Sequence, residues 1–191
     1  MRRFYTRVAV APEPGGFGVL LDGKPWRTGG RHVLRLPTRA LADAVAEEWA
    51  GQGQVIDPAG MHLTQLAAGA LDLTPGRRAE LAARTSGYGA TDLLCYRAAT
   101  PHALTIRQHQ AWQPWLDWAE RKLGARLVPH DGIMPGPQDP EALRRLQDAV
   151  LRLDDWRLVG LHAAVALTGS MGRGLAGAQG ELAPQPAFTV A

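Results

Sequence analysis

The chain has 191 residues, of which 46% are hydrophobic and 20% are charged, a composition typical of one globular domain or two small ones. It holds enough apolar side chain to offset the entropy lost on folding, which excludes a mainly disordered protein. No apolar run reaches the roughly 18 residues of a membrane-spanning helix, which excludes an integral membrane protein. The net charge is only +3 and the 21 basic residues are scattered, which disfavours a nucleic-acid-binding arm.

The first 36 residues show the alternation of β-strands. The pattern predicts strands over residues 4–11 and 17–21, with a turn over 12–16 between them. Asp22-Gly23 predicts a two-residue hairpin turn, because glycine adopts a positive φ at no steric cost. Two short strands over 25–28 and 32–36 would complete an antiparallel meander.

A helical period replaces this alternation after residue 37. Thr38 is a suitable N-cap, and Leu41, Val45 and Trp49 then recur at four-residue steps on one helical face. Gly51 is expected to end this helix. A small sheet with one packed helix predicts a sheet-containing N-terminal domain over residues 1–72.

Beyond residue 61 the pattern is almost wholly helical. Helices are predicted over residues 63–73, 76–88, 104–123, 141–153 and 155–168. Pro114 interrupts the third of these, which leaves either one kinked helix or two shorter ones. Residues 169–191 fit no element. The sequence therefore predicts an α+β fold, in which a mainly α-helical C-terminal domain over 73–191 follows the sheet domain.

Two glycine patterns resemble phosphate-binding loops but fit other structures better. The segment 18–24 matches the first seven positions of such a loop, yet Pro25 stands where a Ser or Thr hydroxyl would bind magnesium, and a hairpin explains the run. The segment 168–174 is one residue too short for a dinucleotide-binding loop and follows a helical pattern, so a helix break or a tail explains it.

Patterns for metal or thiol chemistry are equally weak. No two of the 6 histidines have the four-residue spacing that places two imidazoles on one helical face, so we expect no metal and no cofactor. The single cysteine, Cys95, cannot form an internal disulfide. Nothing near Cys95 in the sequence would lower its pKa, which disfavours a catalytic thiol. Residues 91–96 instead predict a small buried apolar patch. We expect no catalytic residue.

The tryptophans are the most informative residues. Trp112, Trp115 and Trp118 recur every three residues and spread over roughly 120° of one helical face. Such a stripe favours packing between helices, and the alternative is an aromatic anchor surface for a protein partner. Trp49, at the end of the first helix, allows the same two interpretations.

Several segments together resemble one known family. They are RFY at 3–5, LPTRALA at 36–42, AEEW at 46–49, IDP at 56–58, TDLLCYR at 91–97, QAWQPWLDWA at 110–119 and LTGS at 167–170. Over about residues 3–183 the chain resembles the assembly chaperones for the alpha subunit of the F-type ATP synthase head, found in mitochondria and alphaproteobacteria. The TDLLCYR and tryptophan segments are the most specific.

This resemblance implies a protein without enzymatic activity that binds the free alpha subunit and prevents its aggregation until beta subunits replace it. We expect a monomer with no cofactor, no bound nucleic acid and no membrane insertion, in the bacterial cytoplasm or, in a eukaryote, the mitochondrial matrix. The residues that we expect to contact the partner are Trp49, Asp92, Trp112, Trp115 and Trp118. The alternatives are a small nucleotide-binding enzyme built on the glycine patterns, and a generic holdase.

Relatives of this kind continue past the alanine-rich segment with an acidic, tryptophan-containing helix. The chain therefore looks truncated relative to them, and we expect an apolar groove to be left open in the C-terminal domain.

Overall fold

The structure, a computed structural model, describes residues 1–183. The chain divides into two compact units, Met1–Thr74 and a second that begins at Pro75. Within the described residues there are seven α-helices and two small sheets, and the larger sheet lies in the first unit. The α+β class predicted from the sequence is confirmed.

The first unit is built on a four-stranded antiparallel sheet. Its second strand is central: it pairs with the first along its whole length, with the third at its end and with the fourth at its start. Side chains on one face of this strand, Val19 and Leu21, are buried in the core. The strands are β1 (Val8–Glu13), β2 (Gly16–Leu21), β3 (Lys24–Pro25) and β4 (Arg35–Leu36).

The turn between β2 and β3 is the predicted hairpin. Asp22 and Gly23 both have positive φ, 49° and 79°, which is the geometry of a two-residue turn that matches strand twist. Lys24 lies in β3, so the segment 18–24 is a hairpin and not a phosphate-binding loop.

The first strand begins later than predicted, at Val8 instead of residue 4. The backbone N–H groups of Thr6 and Arg7 donate to the Asp22 carboxylate, over 3.1 and 2.8 Å to its Oδ1, instead of to a neighbouring strand. These backbone hydrogen bonds lower the pKa of Asp22. The strand also continues to Glu13, through residues that the sequence assigned to the turn.

Of the two α-helices in this unit, the first packs against the sheet and the second packs against the first. Thr38 caps α1 (Arg39–Ala50) through a hydrogen bond from Leu41 N to its hydroxyl, and Gly51 ends the helix, as predicted. Buried side chains of α1, including Val45 and Trp49, pack against β1 and β2. A second helix, α2 (His62–Leu71), packs against α1.

Asp72, directly after α2, fixes the loop between β3 and β4. Its carboxylate accepts hydrogen bonds from the Thr28 hydroxyl, Gly30 N and His32 Nδ1. Partial burial alone would raise the pKa of Asp72, but these three donors together lower it.

The second unit consists mainly of helices around a short central one. Six consecutive residues of this central helix, 171–176, are buried, and it packs against three other helices, over residues 102–123, 140–151 and 155–168. A two-residue parallel strand pair joins Tyr96 to His130 and Arg97 to Asp131. The elements are α3 (Pro75–Gly87), β5 (Tyr96–Arg97), α4 (His102–Leu123), β6 (His130–Asp131), α5 (Pro140–Leu151), α6 (Asp155–Thr168) and α7 (Met171–Ala178).

Two sequence-based expectations for this unit were wrong or incomplete. Residues 171–178 form a helix where none was predicted, because three of its eight residues are glycine, which has low helix propensity. The helix predicted around Pro114 is a single helix of 22 residues. Gln110, whose carbonyl loses its N–H partner at this proline, is exposed to water.

No helix among residues 1–183 has the combination of length and apolarity needed to cross a bilayer.

Candidate functional site

Trp49 lies at the centre of an aromatic cluster in the first unit. Only 4% of its surface is exposed, and its ring packs against those of Tyr5 and Trp26, at centroid distances of 5.6 and 5.2 Å. The Tyr5 hydroxyl donates to the Trp49 carbonyl over 2.7 Å. The side chain of Trp49 is therefore part of the core of its unit, in contact with the sheet.

Its neighbour Glu48 has a structural role that the sequence did not indicate. The Glu48 carboxylate accepts hydrogen bonds from Leu63 N, Thr64 N and the Thr64 hydroxyl, at 2.7, 2.8 and 2.7 Å. These donors stand at the beginning of α2, where Met61 offers no side-chain cap. A carboxylate of α1 thus caps α2, and the favourable interaction of negative charge with a helix N-terminus links the two helices.

Asp92 links two distant parts of the second unit. It is completely buried, and its Oδ1 accepts from Leu94 N over 3.0 Å. Its Oδ2 accepts from Gly172 N over 3.0 Å and from the Ser170 hydroxyl over 3.3 Å. One carboxylate therefore caps both the short turn 93–95 and the N-terminus of α7. Burial raises the pKa of Asp92, and the hydrogen bonds from these donors oppose that effect.

The three tryptophans of α4 are not equivalent. Trp118 is buried, whereas Trp112 and Trp115 are half-buried. The Arg97 guanidinium lies over the Trp112 ring, 5.5 Å from its centroid, and Arg97 Nε donates to the Leu94 carbonyl over 2.9 Å. Part of this stripe is core packing, as the sequence favoured, and Trp112 and Trp115 keep surface that a partner could contact.

The structure therefore separates the five residues predicted to contact a partner. Trp49 belongs to the first unit and the other four to the second. Three of the five are buried, namely Trp49, Asp92 and Trp118. In the structure these three side chains pack or form hydrogen bonds inside their own unit. Contact of any of the five with a partner stays a prediction.

A groove lies open between α6 and α7. Its volume is about 310 Å³ and its walls are mostly apolar, with Gly160 and Ala164 on α6 and Gly174 and Gly177 on α7. The two helices approach closely because α7 carries glycine at the contact: a Cβ on Gly174 would lie 2.5 Å from Val165 Cγ2. Larger side chains along these faces would fill this space.

Arg173 lines this groove and is the residue that sequence analysis missed. It is 1% exposed, and its Nη2 donates to the Thr168 carbonyl over 3.0 Å. Within residues 1–183, the Nε and Nη1 atoms of Arg173 have no hydrogen-bond partner. Burial lowers the pKa of Arg173, and the nearby negative charge of Asp92 raises it by a smaller amount. Its only signal in the sequence is a charged residue within a run of glycine, alanine and other small or apolar residues.

Cys95 lies in the buried patch that the sequence predicted. It is 4% exposed, and burial, together with the nearby negative charge of Asp92, raises its pKa to about 12. Such a thiol stays protonated at neutral pH and is a poor nucleophile. The other glycine pattern, 168–174, is a helix break: Gly169 ends α6 with a φ of 65°, and Ser170 then caps α7. The described residues contain no group of three or more side chains suited to hold a metal ion.

Several large apolar side chains are exposed outside this groove. Ile133 and Met134 lie together in the loop before α5, at 89% and 75% exposure. Phe4 and Val55 are exposed in the first unit, and Leu167 near the end of α6. Scattered single residues of this kind are common on proteins, and Ile133 and Met134 differ from the others only in being neighbours in the chain.

Comparison with known proteins gives consistent results. A family model described as the ATP12 chaperone protein matches residues 2–120. The crystal structure of Atp12 from Paracoccus denitrificans has 44% sequence identity and a TM-score of 0.85, over 99% of this chain and 81% of that one. The Atu1473 protein from Agrobacterium tumefaciens has 39% identity and a TM-score of 0.86, over 99% of this chain and 71% of that one. The chain therefore belongs to the ATP12 chaperone family, as its resemblance to assembly chaperones implied.

Proposed function

We propose that this chain acts in ATP synthase assembly by binding the free alpha subunit of the catalytic head until beta subunits replace it. The observation that carries the proposal is the likeness to Paracoccus Atp12, 44% identical over 99% of the chain, together with the matching chaperone family model. The partner's identity as the alpha subunit comes from the family resemblance in the sequence.

The physical reason for such a chaperone is the interface that an unassembled ring subunit exposes. Large apolar interfaces are sites of aggregation while the partner subunit is absent. A standard interface buries about 800 Å² on each partner, which is less than a tenth of the 11012 Å² accessible on this chain. One chaperone molecule can therefore cover part of an alpha subunit while most of its own surface stays accessible to water.

Binding and release of the alpha subunit need no covalent reaction. The beta subunit releases the chaperone because it binds the same surface more tightly, so no nucleotide hydrolysis is required. Exposed apolar residues such as Ile133 and Met134, and the half-buried Trp112 and Trp115, are the candidate contacts. Aromatic side chains are enriched among the residues that dominate binding energy, which supports the tryptophan pair.

Among residues 1–183, neither alternative function has a structural observation in its favour. Both glycine patterns that suggested a nucleotide site belong to other structures, the β2–β3 hairpin and the α6–α7 break. A generic holdase would bind many unfolded proteins, and it differs from the proposed function in selectivity.

The test is capture with the immobilised chain. It is mixed separately with purified alpha subunit, purified beta subunit and the assembled catalytic head. Selective capture of the free alpha subunit is expected. Equal capture of alpha and an unrelated unfolded protein would support the holdase instead, and no capture of alpha would contradict the proposal.

A further inference from the structure

The strand β1 lies at an open edge of the sheet in the first unit. Among residues 1–183, the only strand that pairs with it is β2, and α1 packs on one of its faces. An edge strand exposes a row of backbone N–H and C=O groups, which makes it a template for pairing with a further strand. The chemistry of this edge therefore indicates what can bind there.

The register of β1 shows which of its residues present free backbone groups. The Arg7 carbonyl accepts from Asp22 N across the β1–β2 ladder. Since bonded and free residues alternate along an antiparallel pair, Val8, Val10 and Pro12 direct their backbone groups away from β2. Within residues 1–183, no hydrogen bond occupies these outward groups. Proline has no N–H, so the edge offers the donors of the two valines and the carbonyls of all three residues.

The side chains of this strand are complementary to a second copy of the same strand. Residues 7–13, RVAVAPE, begin with a basic residue and end with an acidic one, at equal distances from Val10. In an antiparallel pair centred on Val10, Arg7 of each strand faces Glu13 of the other. Opposite charges in facing positions stabilise a strand pair. A parallel pair would place Arg7 beside Arg7, so the charges favour the antiparallel arrangement.

The same arrangement provides partners for the free backbone groups. Val10 exchanges both of its hydrogen bonds with its copy, and each Val8 N–H faces the Pro12 carbonyl of the other strand. Pro12 also faces the Val8 carbonyl, which keeps water as its partner. The missing N–H of Pro12 therefore leaves no buried group unsatisfied.

Both charged side chains are available for such a contact. Arg7 is exposed, and its charge is among the smaller effects that lower the pKa of Asp22. The Glu13 carboxylate is half-buried over Gly18, and its Oε2 lies 3.5 Å from Arg35 Nε. Its Oε1 has no hydrogen-bond partner among residues 1–183, so a second guanidinium finds an acceptor there.

We infer that this chain associates with a second copy of itself through β1, in an antiparallel pair centred on Val10 that joins the two sheets. The inference goes beyond the proposed function and does not rest on it. One pair of strand edges buries less surface than a standard interface of about 1,600 Å², so the dimer is weak and forms at high concentration. The monomer that we expect from the sequence is then the form at low concentration.

Sedimentation equilibrium is the first test. The mass of the original chain should rise from 20.6 kDa towards twice this value between about 10 μM and about 1 mM, the range of weak dissociation constants. A mass that stays at that of one chain over the whole range would overturn the inference.

Amide hydrogen exchange locates the interface. The N–H groups of Val8 and Val10 should exchange rapidly in the dilute chain and at least about tenfold more slowly in the dimer. The N–H of Ala9, which points to Leu20 of β2, should be protected at both concentrations. Association without added protection of the two valines would refute the assignment to β1. Full protection of them in the dilute chain would mean that the chain covers its own edge, and would refute it too.

Charge exchange tests the arrangement of the two strands. Arg7→Glu and Glu13→Lys each place like charges at both ends of the pair, so each variant alone should dimerise at least about tenfold more weakly. An equimolar mixture of the two should restore association, because every facing pair then carries opposite charges. Lys24→Glu is the matched control: Lys24 is an exposed cation on β3, at the other edge of the sheet, and its substitution should change the dissociation constant less than twofold.

Other contacts give distinct results. Dimers that persist unchanged in both charge variants form through another surface, and a mixture that associates no better than its components excludes the pair centred on Val10; either result contradicts the inference. Protection of the Val8 and Val10 amides by purified alpha subunit, with no self-association at any concentration, would assign the edge to that partner instead and overturn the inference.

Discussion

Substitution of Asp92 is the sharpest test of how the second unit holds together. In Asp92→Ala, the buried N–H groups of Leu94 and Gly172 lose acceptors that lie 3.0 Å away in each case. A buried donor left without an acceptor costs about 1–3 kcal/mol, so the pair costs about 2–6 kcal/mol. Loss of the longer bond from Ser170 adds to this. Because a whole protein has only about 5–15 kcal/mol of stability, the variant should be severely destabilised.

The assay is thermal and urea unfolding, followed by circular dichroism. At about 2–4 °C per kcal/mol for a chain of this size, the melting temperature should fall by roughly 4–24 °C. Asp154→Ala is the matched control: Asp154 also caps a helix through its side chain, by accepting from Arg157 N, but it is exposed to water. The loss of an exposed cap should cost only about 1 kcal/mol.

Asp92→Asn separates hydrogen bonding from the loss of volume. The amide keeps one acceptor oxygen and places an NH₂ group against the other set of donors, so its stability should lie between that of the original chain and that of Asp92→Ala. If Asp92→Ala costs no more than Asp154→Ala, the reasoning that this carboxylate joins the turn 93–95 to α7 is refuted.

Three further predictions concern other buried or paired groups. Cys95 should react with a thiol reagent about a thousandfold more slowly in the folded protein than in urea, because its pKa is raised from 9.0 to about 12. Glu48→Gln should lower the free energy of unfolding by about 1–3 kcal/mol in urea titrations, since it weakens the cap of α2. Asp72→Asn should reduce the loss of melting temperature between pH 5 and pH 3, because the lowered pKa of Asp72 makes its stabilisation present above the unfolded value of about 4 and lost as the pH falls.

Each of these predictions has a contrary outcome. Equal reaction rates of Cys95 in the two states would contradict its burial. For Glu48, the exposed neighbour Glu47 gives the control, and an equal loss in Glu47→Gln would attribute the effect to charge in general. For Asp72, identical acid sensitivity of Asp72→Asn and the original chain would contradict the hydrogen-bond account of its pKa.

Features determined by neighbouring residues could be predicted from the sequence. The cap at Thr38, the turn at Asp22-Gly23 and the bounds of α6 follow from local rules on side-chain oxygens, positive φ and apolar period. A mostly apolar groove lies between α6 and α7, and the expected link between an open groove and the longer chains of relatives stays a prediction. The predicted domain boundary after residue 72 lies two residues from the division into two compact units, and the assignment of two domains stays a prediction.

Features determined by distant residues could not be predicted. Asp92 bonds to a residue 80 positions away, and Glu48 bonds to one 16 positions away, so neither partner is visible in a local pattern. The helix α7 was missed because its packing against α4, α5 and α6, and not its own propensity, stabilises it. Arg173 was missed for the same reason, since its significance depends on which groups surround it in the folded unit.

The central claim is that the chain selectively protects one subunit of the ATP synthase head. The most direct measurement is light scattering while purified alpha subunit is diluted from denaturant in the presence of increasing amounts of the chain. The account predicts that aggregation of alpha is suppressed with saturation near one chaperone per subunit, and that beta subunit and an unrelated unfolded protein are not protected. Equal protection of all three, or no protection of alpha at any ratio, would contradict it.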